Sequence, residues 1–352
     1  MSQTLIQPQQ TGLDPKTVMS KVTSGTESRR TQRRNELSFT QLNVRGLGKH
    51  HSKLDSILQT ISAGATTHSS NRIIFISETK SSGYIQKEVS KHEVFLHGSE
   101  SESSAGVGII LGGNSIQAWK DAGSNEPVKK TIADDRKSGG RIIGIHLRFH
   151  DWKGRPMKIF AVSAYVPHSK YKDTEYRTCI QALKCMIDEE CVGDIKPVIG
   201  GDFNARIGNR HNYGTKLSNH LGPHGITEVC DRGRILMAEL LIPLNLCIPS
   251  TYFLKDNYTT WTNNITKMKE TTNRNHTIDY ILTRKEDLKH VRDSMVVTEI
   301  TPPSTDHFPN TLQFKTAKII PKRKRKAPSN TRTPNIPSEP NETSLNDSSD
   351  VT

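Results

Sequence analysis

Long apolar runs are missing from this 352-residue chain. The longest apolar stretch, Ile235 to Ile248, is broken by Glu239, Pro243 and Asn245, well short of the ~20 residues that cross a bilayer. The opening MSQTLIQPQQ lacks the apolar segment of a secretory signal, so a soluble, intracellular protein with no membrane partner is expected. Cysteine is scarce: Cys179, Cys185, Cys191, Cys230 and Cys247 contain no CxxC pair, and an odd number gives no complete disulfide framework. Three of them recur every six residues, a spacing that scatters them around a helix. They are read as reduced core residues of a reducing compartment. Hydrophobic residues make up only 33% of the chain, too few for a compact domain of full length, so part of it should lie outside any core. No internal repeat is present, and the GxG of Gly106–Gly108 is not followed by the helix-opening pattern of a nucleotide-binding turn.

Positive charge is what the chain does have. The formal net charge is +13. Residues 1–36 carry six basic and three acidic side chains and residues 315–352 carry eight and four, leaving +6 on the body between them. A mildly basic body with basic tails suits a polyanionic partner, although a solvated surface with a targeting signal would carry similar charge. Both ends lack apolar periodicity, so residues 1–36 and 315–352 are expected to be disordered tails around a domain at 37–314. The run Lys322, Arg323, Lys324, Arg325, Lys326 after Pro321 reads as a nuclear localisation signal or a nucleic-acid arm.

From Leu37 the pattern changes to short β-rich runs: 37–43, 73–77, 106–111, 141–149, 157–165 and 196–201, then YTTW (258–261) and TIDYIL (277–282). Residues 73–77 and 159–164 are almost continuously apolar, as in strands covered on both faces. Tyr176, Ile180, Leu183 and Ile187 share one face of a helix over 172–192. A second helix starts near Asp231 and loses its regularity around Pro243. Strands mixed with a few helices predict a two-layer sheet sandwich flanked by helices.

Polar residues with chemical potential sit at the ends of these strands: Asn43, Glu78, Tyr165, Asp202 and Asn204, with Asp279 in TIDYIL and Asp306–His307 in STDHF. Singly, each has an ordinary explanation, because Asn and Asp after strands are common turn residues. Together they match what phosphodiester hydrolysis needs: hard oxygen ligands for a cation, an oriented water, a base, and donors for charge developing on the phosphate. Glu78 offers a carboxylate to Mg²⁺, and Asn43 a neutral ligand or orienter beside it. Asp202 can orient or deprotonate water, and Asn204 can donate to phosphate. Asp279 can fix the tautomer of His307, whose ring then acts as base or donor.

The ordered motifs LNVRGL, ISETK, GDFN, IDYIL and TDH resemble the endonuclease/exonuclease/phosphatase family over about residues 37–314. The resemblance implies a four-layered α/β sandwich of two mixed β-sheets flanked by helices, DNase I-like, with its site at the sheet edges. It implies metal binding among Asn43, Glu78, Asp202, Asn204, Asp306 and His307, with Mg²⁺ or a Mn²⁺ substitute. The implied catalytic set is Tyr165, Asp202, Asn204, Asp279 and His307. Within the family, ETK after a buried strand and Tyr165 resemble apurinic/apyrimidinic endonucleases. The stretch from GGDFNARIG through DRGRILMAELL to YTTW and IDYIL resembles endonucleases of non-LTR retrotransposons and craniofacial development protein 2-like host derivatives. Thr305 stands where Ser often precedes Asp-His, and RNHTIDY lacks an Arg or Gln often found there.

Trp261 can touch a nucleotide or a groove, or pack in the core; Lys80 can face phosphate, or be an ordinary solvated lysine. A Mg²⁺-dependent DNA endonuclease is thus the leading expectation. A phosphatase or RNA nuclease of the same family, and a non-cutting nucleic-acid or chromatin binder, are the alternatives.

Overall fold

The structure is a computed structural model that describes residues 36–63, 71–99, 105–132, 139–151, 153–214, 218–267, 270–299 and 305–315. The basic run Lys322 to Lys326 lies outside the described residues. Two mixed sheets form the body. The seven-stranded sheet has the order β14-β15-β1-β2-β5-β4-β3, where β1 is Glu36–Asn43, β2 Asn71–Ser77, β3 Tyr84–Val89, β4 His92–His97, β5 Val107–Gly113, β14 Val291–Val296 and β15 Asn310–Lys315. The six-stranded sheet has the order β10-β13-β9-β8-β7-β6, with β6 Val128–Ile132, β7 Gly139–His150, β8 Pro156–Tyr165, β9 Lys196–Asp202, β10 Leu246–Cys247 and β13 Asp279–Arg284. Strands β11 (Trp261–Lys267) and β12 (Glu270–His276) form a separate two-stranded sheet, and Trp261 at its start bridges to His307.

Each sheet is built around one parallel pair, β1 with β2 and β8 with β9. Parallel neighbours need a crossover, and here each is helical: α1 (Leu54–Ala63) joins β1 to β2, and α3 (Asp173–Glu190) joins β8 to β9. The near-continuous apolar runs are explained by this layering. In β2, Ile73 and Phe75 point into the core between the sheets, while Ile74 and Ile76 pack under Leu54, Ile57, Leu58 and Ile61 of α1. In β8, Ile159 and Ala161 face the inter-sheet core, whereas Phe160, Val162 and Ala164 meet α3 through Tyr176, Ile180, Leu183 and Ile187. Gly200 lets the Phe75 ring of the facing sheet lie directly against the β9 backbone, where any Cβ would sit 2.1 Å from it. Truncating such a ring costs roughly 3–5 kcal/mol.

The short helix α2 (Asn114–Asp121) closes one end of the inter-sheet core, setting Trp119 edge-on against Phe95 at 5.1 Å. Helix α4 (Asp231–Leu236) continues as a π-turn over Met237–Leu241, six residues earlier than the expected break. Pro243 is the physical reason: it has no N–H to donate, and its ring crowds the carbonyl four residues back. Widening the preceding turn relieves that contact.

YTTW is not a strand as expected; only Trp261 belongs to one. TIDYIL is extended only from Asp279. Side chains do the pairing there: Thr260 Oγ1 accepts from the backbone N–H of Ile278 (3.0 Å) and Asp279 (3.1 Å), and the Thr277 hydroxyl donates to Tyr258 O. All five cysteines are free, and burial pushes the thiols of Cys179, Cys191 and Cys247 up to about 12, so these three act as apolar filling. No helix among the described residues is long and apolar enough to cross a membrane.

Candidate active site

The two parallel pairs bring four chain segments to one edge of the sandwich. Strand β1 ends on Asn43, β2 runs into Glu78, β8 ends on Tyr165 and β9 ends on Asp202. Antiparallel neighbours arrive at the same edge from the other direction. Asp279 opens β13 directly opposite Asp202, and Asp306–His307 lead into β15 beside β1. Carboxyl ends of strands in α/β sheets are where ligands collect, because loops there can converge.

The chain leaves these strands in a strained way. Arg45 (φ 48°), Glu78 (φ 55°), Lys80 (φ 55°) and Asn204 (φ 48°) all occupy the left-handed region, which costs a non-glycine residue roughly 1–3 kcal/mol and persists only where the surroundings enforce it. Around the first three, backbone hydrogen bonds enforce it, Val44 N to Ser77 O, Leu47 N to Thr79 O, and Lys80 N to Ala105 O at 2.7 Å, and Asn204 is held by its N–H to Asp202 Oδ1.

A hydrogen-bond chain runs across the edge. Asn43 Nδ2 donates to Glu78 Oε2 (3.2 Å) and Asp202 Oδ2 (2.9 Å), while its Oδ1 accepts from Arg45 N (2.9 Å). The amide therefore bridges two carboxylates, and its oxygen is engaged elsewhere. Asn204 N donates to Asp202 Oδ1 (2.9 Å), and Asn204 Nδ2 to Val166 O (2.9 Å). His307 Nδ1 meets Asp279 Oδ2 at 2.8 Å, leaving Nε2 to face Asp306 Oδ1 at 3.7 Å. Thr305 locks that loop by donating to Asn43 O (2.7 Å) and accepting from His307 N (3.1 Å).

Burial gives these groups unusual protonation. Asp202, Asp279 and His307 are buried, and one ligand atom from each lies within 4.8 Å of the others. Burial, then the charge of Asp279, pushes the Asp202 carboxyl well above the usual carboxylate range, against the pull of His307 and the Asn43 hydrogen bond. Burial opposes a charge on His307, but the charge and hydrogen bond of Asp279, followed by Asp202 and Asp306, lift it to about 9. The Tyr165 phenol is raised by burial first and then by Asp202 and Glu78, so it remains a neutral O–H. The Arg141 guanidinium lies 5.5 Å over the Tyr165 ring and 5.1 Å over that of Tyr171.

The donor set suits a hard divalent cation. Glu78, Asp202, Asp279 and Asp306 bring four carboxylates together, and Asp279 Oδ1 and Asp306 Oδ1 are buried with no hydrogen bond among the described residues. Lys80 pairs with Glu78 (3.3 Å) and Arg45 with Asp306 (3.0 Å) at the rim. Among the described residues Asp202 has no Lys or Arg partner, and carboxylate oxygens are the natural ligands of Mg²⁺.

Asn43, Glu78, Tyr165, Asp202, Asn204, Asp279, Asp306 and His307 are thus brought to one edge. Lys80 is exposed there. Trp261 is half-buried, stacked on His276 with centroids 5.6 Å apart, and bridged through its backbone to His307. Sequence reasoning passed over Arg45, Arg141 and Thr260. Arg45 sits inside the LNVRGL motif, and Arg141 opens the strand run 141–149. Thr260 lies in YTTW, where its hydroxyl was the available signal.

Two mixed sheets packed face to face, with carboxylate, amide and imidazole groups gathered at one shared edge, define the endonuclease/exonuclease/phosphatase fold, the DNase I-like sandwich. Similarity to solved structures agrees. The 3′ phosphatase NExo from Neisseria, bound to product DNA hairpin, is 17% identical with a TM-score of 0.54, covering 79% of this chain and 99% of that one. The Xenopus laevis APE2 catalytic domain is 16% identical with a TM-score of 0.55, covering 81% and 94%. The AP endonuclease LMAP from Leishmania major is 14% identical with a TM-score of 0.52, covering 80% and 88%. At this identity the likeness is one of fold. No family model matches the chain, and no curated protein matches it significantly.

Proposed function

We propose that the chain is a Mg²⁺-dependent phosphodiesterase that nicks DNA as an apurinic/apyrimidinic-like endonuclease. The observation that carries this reading is Asp202, held between the Asn43 amide and the Asp279–His307 pair at the meeting point of both sheets. Water attacks phosphorus, the P–O3′ bond breaks, the departing 3′-oxygen takes a proton from solvent, and a 3′-hydroxyl and a 5′-phosphate remain. Glu78, with Asn43 orienting it, would hold Mg²⁺ or Mn²⁺, and the ion supplies Lewis-acid stabilisation of charge on the phosphate oxygens. Asp202 takes the proton from the attacking water; its raised affinity for protons suits a base working near neutrality. His307, kept cationic by Asp279, offers Nε2–H to a non-bridging oxygen, and the neutral Tyr165 hydroxyl donates to the same phosphate. Asn204 fixes Asp202 through its backbone N–H.

Supercoiled plasmid with Mg²⁺, with EDTA, and beside a duplex carrying one abasic site tests this. Nicking that stops in EDTA supports it, and undiminished nicking in EDTA by pure protein refutes the metal. The abasic duplex separates lesion preference from indifference. Phosphate release from a 3′-phosphate end with intact plasmid would move the reading to a phosphomonoesterase.

We further ascribe the chain to a retrotransposon-derived branch on the GGDFNARIG-to-IDYIL run; a reverse-transcriptase reading frame beside related genomic copies would support it, and relatives confined to repair genes would refute it. Catalysis is assigned to residues 37–314, and the charge-borne functions to 1–36 and 315–352. Neutralising Lys322 to Lys326 should move a tagged protein out of the nucleus and flatten the salt dependence of DNA binding by roughly 0.9 per lost phosphate contact. Neither change would leave the run as solvated charge.

A further inference from the structure

Arg45 is anchored at both ends to residues of the site. Its backbone N–H donates to Asn43 Oδ1, which fixes the left-handed turn from which the side chain departs. Its guanidinium Nη1 then reaches Asp306 Oδ2 at 3.0 Å, across 261 residues of sequence. Asp306 is itself held, because its carbonyl accepts from Thr262 N (3.1 Å) and the adjoining Thr305 hydroxyl donates to Asn43 O. An ordinary surface pair joins two freely moving side chains and contributes little. This one joins two fixed loops over the reactive edge.

The guanidinium has further capacity. Among the described residues, Asp306 is its one polar partner, and the side chain is 52% exposed. An arginine carries five N–H donors in a planar fork that matches phosphate oxygens. On the other side of the Asp306 carboxylate lies His307 Nε2 at 3.7 Å. Arg45 and His307 therefore flank one carboxylate from two sides, so their donors converge on one patch of the rim. Lys80 is engaged with Glu78, and its stem fills the space beside Gly46 that a Cβ would invade at 3.0 Å.

We propose that Arg45 is a phosphate-binding residue of this site, which holds Asp306 as its counter-charge outside the divalent-ion sphere and turns its free N–H groups to a non-bridging oxygen of the substrate. The inference rests on the phosphodiesterase reading above. It assigns the divalent ion to the Glu78 side and an arginine to the Asp306 side, so Asp306 acts by positioning and is removed from the ligands the sequence suggested.

The test uses the full chain and variants Arg45→Gln, Arg45→Lys, Asp306→Asn and Glu78→Gln, with thermal melting to confirm folding. Bound Mn²⁺ is counted by electron paramagnetic resonance without DNA, and KM and kcat are measured on a duplex oligonucleotide. Wild type and Asp306→Asn should each bind a single Mn²⁺, and Glu78→Gln should bind none. Arg45→Gln should bind Mn²⁺ more tightly or take a further ion on the freed Asp306. Its KM should rise at least ~10-fold, the scale of a charge-assisted hydrogen bond, with kcat moving less; Arg45→Lys should fall between. Loss of the ion in Asp306→Asn overturns the proposal while leaving the phosphodiesterase reading intact, as does an Arg45→Gln variant unchanged in both KM and Mn²⁺ binding. Absence of any Mn²⁺ in wild type sinks the underlying reading, and the proposal with it.

Discussion

Two fully buried aspartates stand at opposite ends of β13, Asp279 at its start and Asp287 in the 3-10 turn beyond its finish. Among the described residues each binds one cation through one oxygen, Asp279 to His307 and Asp287 to Lys196, and each has a second oxygen with no hydrogen bond. Their surroundings differ. Asp279 faces Asp202 across the paired strands, and while Lys80 and Arg45 are engaged with Glu78 and Asp306, Asp279 and Asp202 share the single imidazolium of His307. Beside Asp287 stand Lys196 and a His290 whose proton affinity is lowered by burial and then by Lys196, so a single ammonium meets a single carboxylate. Burial and pairing alone therefore do not mark chemistry. Convergence of like charge from separate strands does, because only a ligand can offset it.

The largest effects should fall on opposite sides of that comparison. Asp202→Ala and His307→Ala should each slow cleavage by at least ~10²-fold, the scale of acid–base groups, and should combine non-additively because they serve one phosphate. Asp287→Ala should leave kcat near wild type but lower unfolding free energy by roughly 3–5 kcal/mol, since it strands the Lys196 ammonium. Cleavage rates and urea melts of the three variants decide this. A slow, fully stable Asp287→Ala would break the distinction.

Protonation sharpens it further. Cleavage should rise with pH as Asp202 loses its proton, at a pH above the ordinary carboxylate range, and fall as His307 loses its own near 9. In Asp279→Asn the falling limb should move toward lower pH, because the largest support of the imidazolium has gone. The same pair carries a stability signature. His307 binds its proton more tightly when folded than the ~6.5 of a free imidazole. Its contribution is thus complete below about pH 6.5 and lost as pH climbs through about 9. Thermal melts across that range should show the decline in wild type and its absence in His307→Asn.

The smallest effect is also the most diagnostic of a site built against stability. Asp202→Asn keeps the shape and removes a buried charge with no Lys or Arg partner among the described residues, while its amide N–H meets one of the donors Asn43 Nδ2 and Asn204 N. It should therefore abolish cleavage yet raise unfolding free energy by ~1 kcal/mol. Equal or lower stability in chemical denaturation would show that Asp202 is well compensated in the resting protein.

How much of this was legible depended on distance along the chain. Residues 73–77 and 159–164 announced doubly covered strands because both faces are buried. Strand-end residues such as Asn43, Glu78 and Asp202 were visible because turn chemistry follows the strand that delivers it. Strands β3 and β6 escaped because they lie at sheet edges, with half-exposed residues that carry no clear alternation. Helix α1 could have been read from Leu54, Ile57, Leu58 and Ile61. The Arg45–Asp306 pair could not: its partners lie 261 positions apart, and only the pairing of β15 beside β1 brings them together.

That same pairing has a topological consequence. Glu36, the first residue of β1, stands opposite Lys315, the last of β15, so the two ends of the described sandwich are adjacent, about 5 Å apart at the Cα atoms. A unit with neighbouring entry and exit points can be inserted into a surface loop of a host protein, or have its ends joined and be reopened elsewhere, without any segment having to cross its body. The candidate site is assembled wholly from segments between those two points. The sandwich is in that sense a cassette, transferable by recombination as one piece with its reactive groups already in register.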